Sequence, residues 1–172
     1  MTSATTPDAR DFRLTMGRMA KCVSVTTAMT PAGPIGCTTT GVLSLSTDPA
    51  SILVSLTTSG RTLADALAAG SFSVNVLSTR QQDLIHQFAS GDPGRRFDGV
   101  RYRLRGGAPV LADASASVVC RVRDAIQVLD HTLLIGDVQH AHTSAWPPLL
   151  LLDGMPCAAV AGLDTAVSQV VS

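Results

Sequence analysis

The chain has 172 residues, 45% of them hydrophobic and only 3% aromatic, with 13 Lys plus Arg set against 13 Asp plus Glu. That length suits one domain with a real core. Zero net charge gives no hold on nucleic acid or an anionic membrane, and scarce aromatics exclude a base-stacking surface. No apolar run reaches the roughly 18 residues of a membrane span, and the start Met-Thr-Ser-Ala-Thr-Thr-Pro lacks a secretory leader, so a cytoplasmic protein without nucleic-acid or membrane partners is expected.

Residues 1–10 read as a polar tail, residues 11–160 as the domain and residues 161–172 as a second tail. Asp11 to Met19 suits a short helix capped by Asp11, with Phe12, Met16 and Met19 on one face. Cys22 to Ala28 is rich in β-branched residues and predicts a strand. Pro31-Ala32-Gly33-Pro34 then predicts a turn into a strand over Ile35–Thr40. Ser44-Leu45-Ser46 alternates like a half-exposed strand, and Ser51–Thr57 is a further strand. Thr62–Ala69 predicts a helix ended by Gly70. Phe72–Leu77 has period two, and Thr79–Ala89 has a helical face of Leu84, Ile85 and Phe88. The Arg- and Gly-rich stretch from Gly91 to Gly107 reads as a loop. Beyond Val110, Ala116–Asp124, Ala125–Val128, His131–His142 and Leu149–Leu152 are strands separated by Asp, Gly or Pro. Many strands with few short helices predict a β-barrel decorated by helices.

The densest chemical signal is Gly36 to Pro49, where Thr38, Thr39, Thr40, Ser44, Ser46 and Thr47 crowd between apolar segments. Ser59-Gly60-Arg61-Thr62 follows. Hydroxyls, small residues and one guanidinium can hold a phosphate and let a flat ring approach the backbone, which points to a phosphorylated cofactor. Ser59 to Thr62 also opens a predicted helix, whose unpaired N–H groups bind anions. No acid–base pair, nucleophile constellation or His/Cys ligand spacing is present, so neither side-chain catalysis nor a metal site is expected. Cys22, Cys37, Cys120 and Cys157 are isolated and read as reduced, mostly buried thiols.

The same residues, in order, resemble a known family. They include Phe12-Arg13, Met16-Gly17, Gly36-Cys37-Thr38-Thr39-Thr40 and Ser44-Leu45-Ser46-Thr47-Asp48-Pro49. They continue through Ser59 and Thr62, Phe72-Ser73-Val74-Asn75-Val76-Leu77, Arg96-Phe97, Val119 to Val122 and Asp130-His131-Thr132-Leu133. Over roughly residues 11 to 155 the chain is similar to the short-chain flavin reductases, which supply reduced flavin to two-component monooxygenases. The resemblance implies a mainly β fold: an FMN-binding split β-barrel of Greek-key type, about six strands with short peripheral helices, forming a homodimer. It implies FMN or FAD as flavin, NADH or NADPH as hydride donor, and a separate flavin-dependent monooxygenase as partner. It places Thr38, Thr39, Thr40 and Gly41 along the ring and ribityl chain, with Ser44 and Ser46 beside them. The resemblance further implies that Ser59, Arg61 and Thr62 form the phosphate turn, that Asn75 supports the site, and that His131 meets the nicotinamide nucleotide.

The chain departs from the family pattern at Gly41-Val42, Thr57-Thr58, Cys22 and Leu151-Leu152. Lost polar and ring contacts at the first two imply loose, exchangeable flavin. They leave room for a flavin-binding module without reductase activity, or for a flavin enzyme acting on its own organic substrate.

Overall fold

The computed structural model describes residues 8–159. The expected tails over residues 1–7 and 161–172 lie outside that range. The first helix, α1 (Ala9–Gly17), begins within the expected tail: the Asp8 carboxylate, not that of Asp11, accepts from the Arg10 and Asp11 amides at 2.7 and 2.8 Å.

Twelve strands follow among the described residues. The main sheet contains β2 (Ser24–Thr30), β3 (Gly33–Thr39), β4 (Val42–Thr47), β5 (Ala50–Thr57), β6 (Ser71–Val76), β9 (Ala116–Val128) and β10 (His131–Thr143). Its antiparallel order is β3-β2-β6-β9-β10-β5-β4, seven strands where about six were expected. The strands β1 (Lys21–Cys22), β11 (Leu149–Leu152) and β12 (Met155–Ala158) form a smaller sheet, and β7 (Tyr102–Arg105) pairs with β8 (Ala108–Leu111).

The sheet must roll up. β3 and β4 are its two edges, yet only Thr40 and Gly41 join them. In a flat sheet they would stand about 29 Å apart, whereas the three Cα steps from Thr39 to Val42 reach at most about 11 Å. No ladder between β3 and β4 is formed among the described residues, so the barrel stays split there. The link is fastened to β5 by the Ser55 amide, which donates to the Gly41 carbonyl at 2.8 Å.

The core follows strand parity. Ala28, Ile52, Val54, Leu56, Phe72, Val74, Cys120 and Leu134 point inward and pack with Leu63 and Ala66 of α2 (Arg61–Ala69). Val23, Val25 and Leu77 point to the other face, under Phe88 of α3 (Leu84–Ala89) and Leu111. β2 and β6 are therefore covered on both sides. Asn75, fully buried, donates to the Val25 carbonyl and the Ser73 hydroxyl at 3.2 and 2.9 Å and accepts from the Leu111 amide at 2.9 Å, tying β8 to the sheet.

Three expectations change. The helix over Thr79–Ala89 divides into a 3-10 turn at Thr79–Gln81 and α3, because a Ser78–Gln81 capping box closes the first turn separately. The loop to Gly107 contains β7, an exposed strand whose Tyr102/Leu104 alternation is hidden among arginines. β9 runs unbroken through Asp124, where the pairing with β10 shifts register between Ile135 and Gly136 and a bulge absorbs Arg123.

Candidate functional site

The split is where the chemistry gathers. Among the described residues β3 pairs only with β2, so half of its backbone N–H and C=O groups lie on an edge with no neighbouring strand. A cavity of about 650 Å³ lies there. Its walls are Cys37 to Gly41 on one side, Ser55 to Thr57 of β5 on another, and Gly60 to Leu63 at the start of α2. Phe88, Ala89, Pro93 and Arg96 from α3 and the following loop close the third side, with His131 of β10 at the rim.

Of the ten residues expected at the site, seven come together: Thr38, Thr39, Thr40, Gly41, Arg61, Thr62 and His131. Ser44, Ser46 and Ser59 do not line the cavity. Ser44 is exposed on the edge strand β4, Ser46 is engaged with Asp48 through its hydroxyl, and Ser59 is exposed in the turn before α2.

The threonines differ in what they have left to offer. Thr38 donates to the Ile85 carbonyl at 2.8 Å and so fastens α3 to β3. Thr39 shares a hydrogen bond of 2.9 Å with Thr26 inside the barrel. Of these three, Thr40 keeps an exposed hydroxyl without a partner among the described residues, and so does Thr57 on the facing strand β5. Thr62 is buried, with its hydroxyl beside the Cys37 thiol.

Gly60 caps α2 with extended backbone and no side-chain bond, so the Arg61 and Thr62 amides meet no acceptor among the described residues. They are free for an anion at the positive end of the helix. Gly60 is also required by space, since a Cβ there would sit 2.9 Å from the Thr57 carbonyl oxygen.

Arg61 has no carboxylate partner among the described residues, nor has Arg96. Arg96 is half-buried and donates to the Gly36 and Gly91 carbonyls at 2.9 and 3.2 Å. Burial pushes the Cys37 thiol up, partly opposed by Thr62 and by the Arg96 charge, so Cys37 stays a neutral thiol in the wall. His131 is hydrogen-bonded through Nδ1 to Asp130 at 2.9 Å; that contact holds the Asp130 carboxyl below its usual range.

Several wall residues have no chemical signature of their own. Cys37, Ser55, Leu56, Thr57, Leu63, Phe88, Ala89 and Pro93 read in sequence as strand, helix or loop. Arg96 carries a partial signal as part of Arg96-Phe97, but a loop arginine reads first as solvated charge. The thiols are also less hidden than expected: Cys22 is exposed, Cys37 and Cys157 are half-buried, and only Cys120 is buried. β1 has just two residues, paired on one side to β11, which leaves Cys22 uncovered.

A family model described as a flavin reductase like domain matches residues 16–159. A probable flavin reductase of Rhizobium meliloti (strain 1021) is 40% identical over 133 residues, 76% of this chain, but the chain spans only 42% of that protein's length. The NADH-dependent FMN reductase AsuE2 of Streptomyces nodosus subsp. asukaensis is 39% identical over 146 residues, 81% of this chain and 78% of that one. The reductase component of a 4-nitrophenol 4-monooxygenase/4-nitrocatechol 2-monooxygenase of Rhodococcus opacus is 34% identical over 143 residues, 83% of this chain and 76% of that one. Among solved structures, the Streptomyces globisporus C-1027 NADH:FAD oxidoreductase SgcE6 in complex with NAD and FAD fragments superposes with a TM-score of 0.84. It is 26% identical and covers 94% of this chain and 100% of that chain.

Proposed function

The chain belongs to the flavin reductase like domain family, and from that membership we propose that it is an NAD(P)H:flavin oxidoreductase that reduces FMN or FAD and hands the reduced flavin to a separate flavin-dependent monooxygenase. The observation that carries this reading is the cavity at the split. There an open strand edge, an unblocked helix N-terminus with Arg61, and His131 converge.

The donor set fits a flavin. The Arg61 and Thr62 amides and the Arg61 guanidinium suit its phosphate. The Thr40 hydroxyl and the free backbone of β3 suit the polar edge of the ring, and the absence of a side chain at Gly41 lets that ring approach β5. His131, oriented by Asp130, suits the nicotinamide nucleotide at the rim. A flavin, when bound, supplies the ring that accepts a hydride from the dihydronicotinamide. The protein's part is to hold both partners at reacting distance, keep water from the apolar wall of Leu56, Leu63 and Phe88, and place backbone donors where negative charge grows.

Steady-state oxidation of NADH and NADPH with added FMN and FAD tests the reading. Turnover with at least one pair is expected; none with all four would overturn it. Delivery to a monooxygenase is supported by the relative that is a monooxygenase reductase component. A coupled assay should give product without contact between the two proteins, across a dialysis membrane under low oxygen. Four free thiols suit a reducing, cytoplasmic setting.

A homodimer is supported by the outer face of the barrel. Leu43, Leu53, Ile135, Leu133, Ile126 and Val128 share that face by register; Leu43, Ile126 and Val128 are exposed and the other three partly so. It runs directly into Ser55, Thr57 and His131 at the cavity rim. A second copy seated there would cover an apolar sheet and wall the open side of the cavity.

A further inference from the structure

Arg96 is held as a ligand-reading cation would be. Its Nε and one terminal nitrogen are spent on the Gly91 and Gly36 carbonyls, which fixes the guanidinium plane and leaves the other terminal nitrogen without an acceptor among the described residues. Its neighbour Arg95 is different: exposed, and paired with Asp98 at 2.9 Å. Arg96 is half-buried in the cavity wall with no carboxylate to offset its charge. A half-buried unpaired cation is costly, and that cost is relieved when an anion arrives.

Arg61 and the α2 amides already form one anion site, enough for the single phosphate of a mononucleotide. A second cation on another wall of the same cavity calls for a second anionic group. We propose that Arg96 binds a further phosphate of a dinucleotide, one that FMN does not possess. This rests on the flavin reductase reading. The phosphate has two sources, the second phosphate of FAD or the pyrophosphate of the nicotinamide dinucleotide.

The full-length protein and its Arg96→Gln and Arg96→Lys variants would be titrated with FMN and with FAD by flavin fluorescence, and NADH kinetics recorded at saturating FMN, each at low and high salt. In both variants the Kd for FMN stays within about twofold. Arg96→Gln raises one other constant by about tenfold or more, the size of one charge-assisted hydrogen bond. If FAD is the source it is the Kd for FAD; if NADH is the source it is KM, with kcat unchanged. Arg96→Lys restores most of the loss, and the affected constant loses salt dependence in Arg96→Gln. Equal weakening of FMN and FAD by both variants overturns the proposal, because the clip to Gly36 and Gly91 would then be the whole role. So does a variant with every constant unchanged. A parent protein that binds no flavin at all overturns the flavin reading together with this one.

Discussion

Arg61 and Thr62 are adjacent, yet the fold turns their side chains to opposite surroundings. Arg61 is exposed at the cavity, whereas the Thr62 side chain is buried against Cys37. Arg61→Ala should therefore raise the Kd for FMN by about tenfold at low ionic strength, less at high salt, without moving the melting temperature. Thr62→Ala should do the reverse: flavin affinity within about twofold, and stability lower by about 1 kcal/mol, read from the urea midpoint. The sequence presents both as phosphate ligands because hydroxyl and guanidinium side chains are chemically suited to that role. Which way a helix-start side chain turns depends on what packs behind it. The same reasoning separates Thr40 from Thr38 and Thr39, whose hydroxyls are consumed by Ile85, 47 positions on, and by Thr26 of the neighbouring strand.

Among the elements, the β9–β10 pair shows where pattern reading runs out. Alternation located both strands, but Asp124 looked like a terminator and is instead a residue beside a bulge. Asp124 faces Ile135, and Gly136 faces Val122 across the bulge. A Cβ on Gly136 would lie 2.6 Å from Cys120 Cβ and from Phe72 Cζ, both in the core. Gly136→Ala should accordingly cost about 1–3 kcal/mol, measurable as a lower denaturation midpoint with an unchanged slope; a loss below about 0.5 kcal/mol would show that Phe72 can swing away. β7 went unseen for another reason. Its cross-strand partner supplies the buried half of the hairpin, so its own composition is that of a solvated loop.

For the molecule as a whole, two outcomes follow from the rolled sheet. Leu133→Asp on the outer apolar face should halve the particle mass measured by light scattering and weaken flavin binding, since the face is continuous with the cavity rim. A parent protein already monomeric at micromolar concentration would remove the basis for that expectation. The second concerns pH. Burial, with Asp137 contributing, pushes the Cys120 thiol from 9.0 up to about 12. A raised folded-state value means the stabilisation is complete below pH 9, the unfolded value, and is lost as pH climbs toward 12. The urea midpoint should fall across that window, and Cys120→Ala should flatten the fall; an equally steep decline in the variant would assign it to other groups.

Composition, alternation and the order of motifs were enough to identify a mainly β fold of the flavin reductase like family and to single out a hydroxyl-rich segment, because such features are local and lie in order along the chain. The assembly of that segment into a site was decided elsewhere. Thr40 and Gly41 become the seam of a rolled sheet only because β3 and β4 end as its opposite edges. Arg96 faces the cavity only because the Gly36 and Gly91 carbonyls hold it there. Contacts between residues sixty positions apart leave no periodic trace in the chain; they exist once strand order and packing bring the partners within hydrogen-bonding reach.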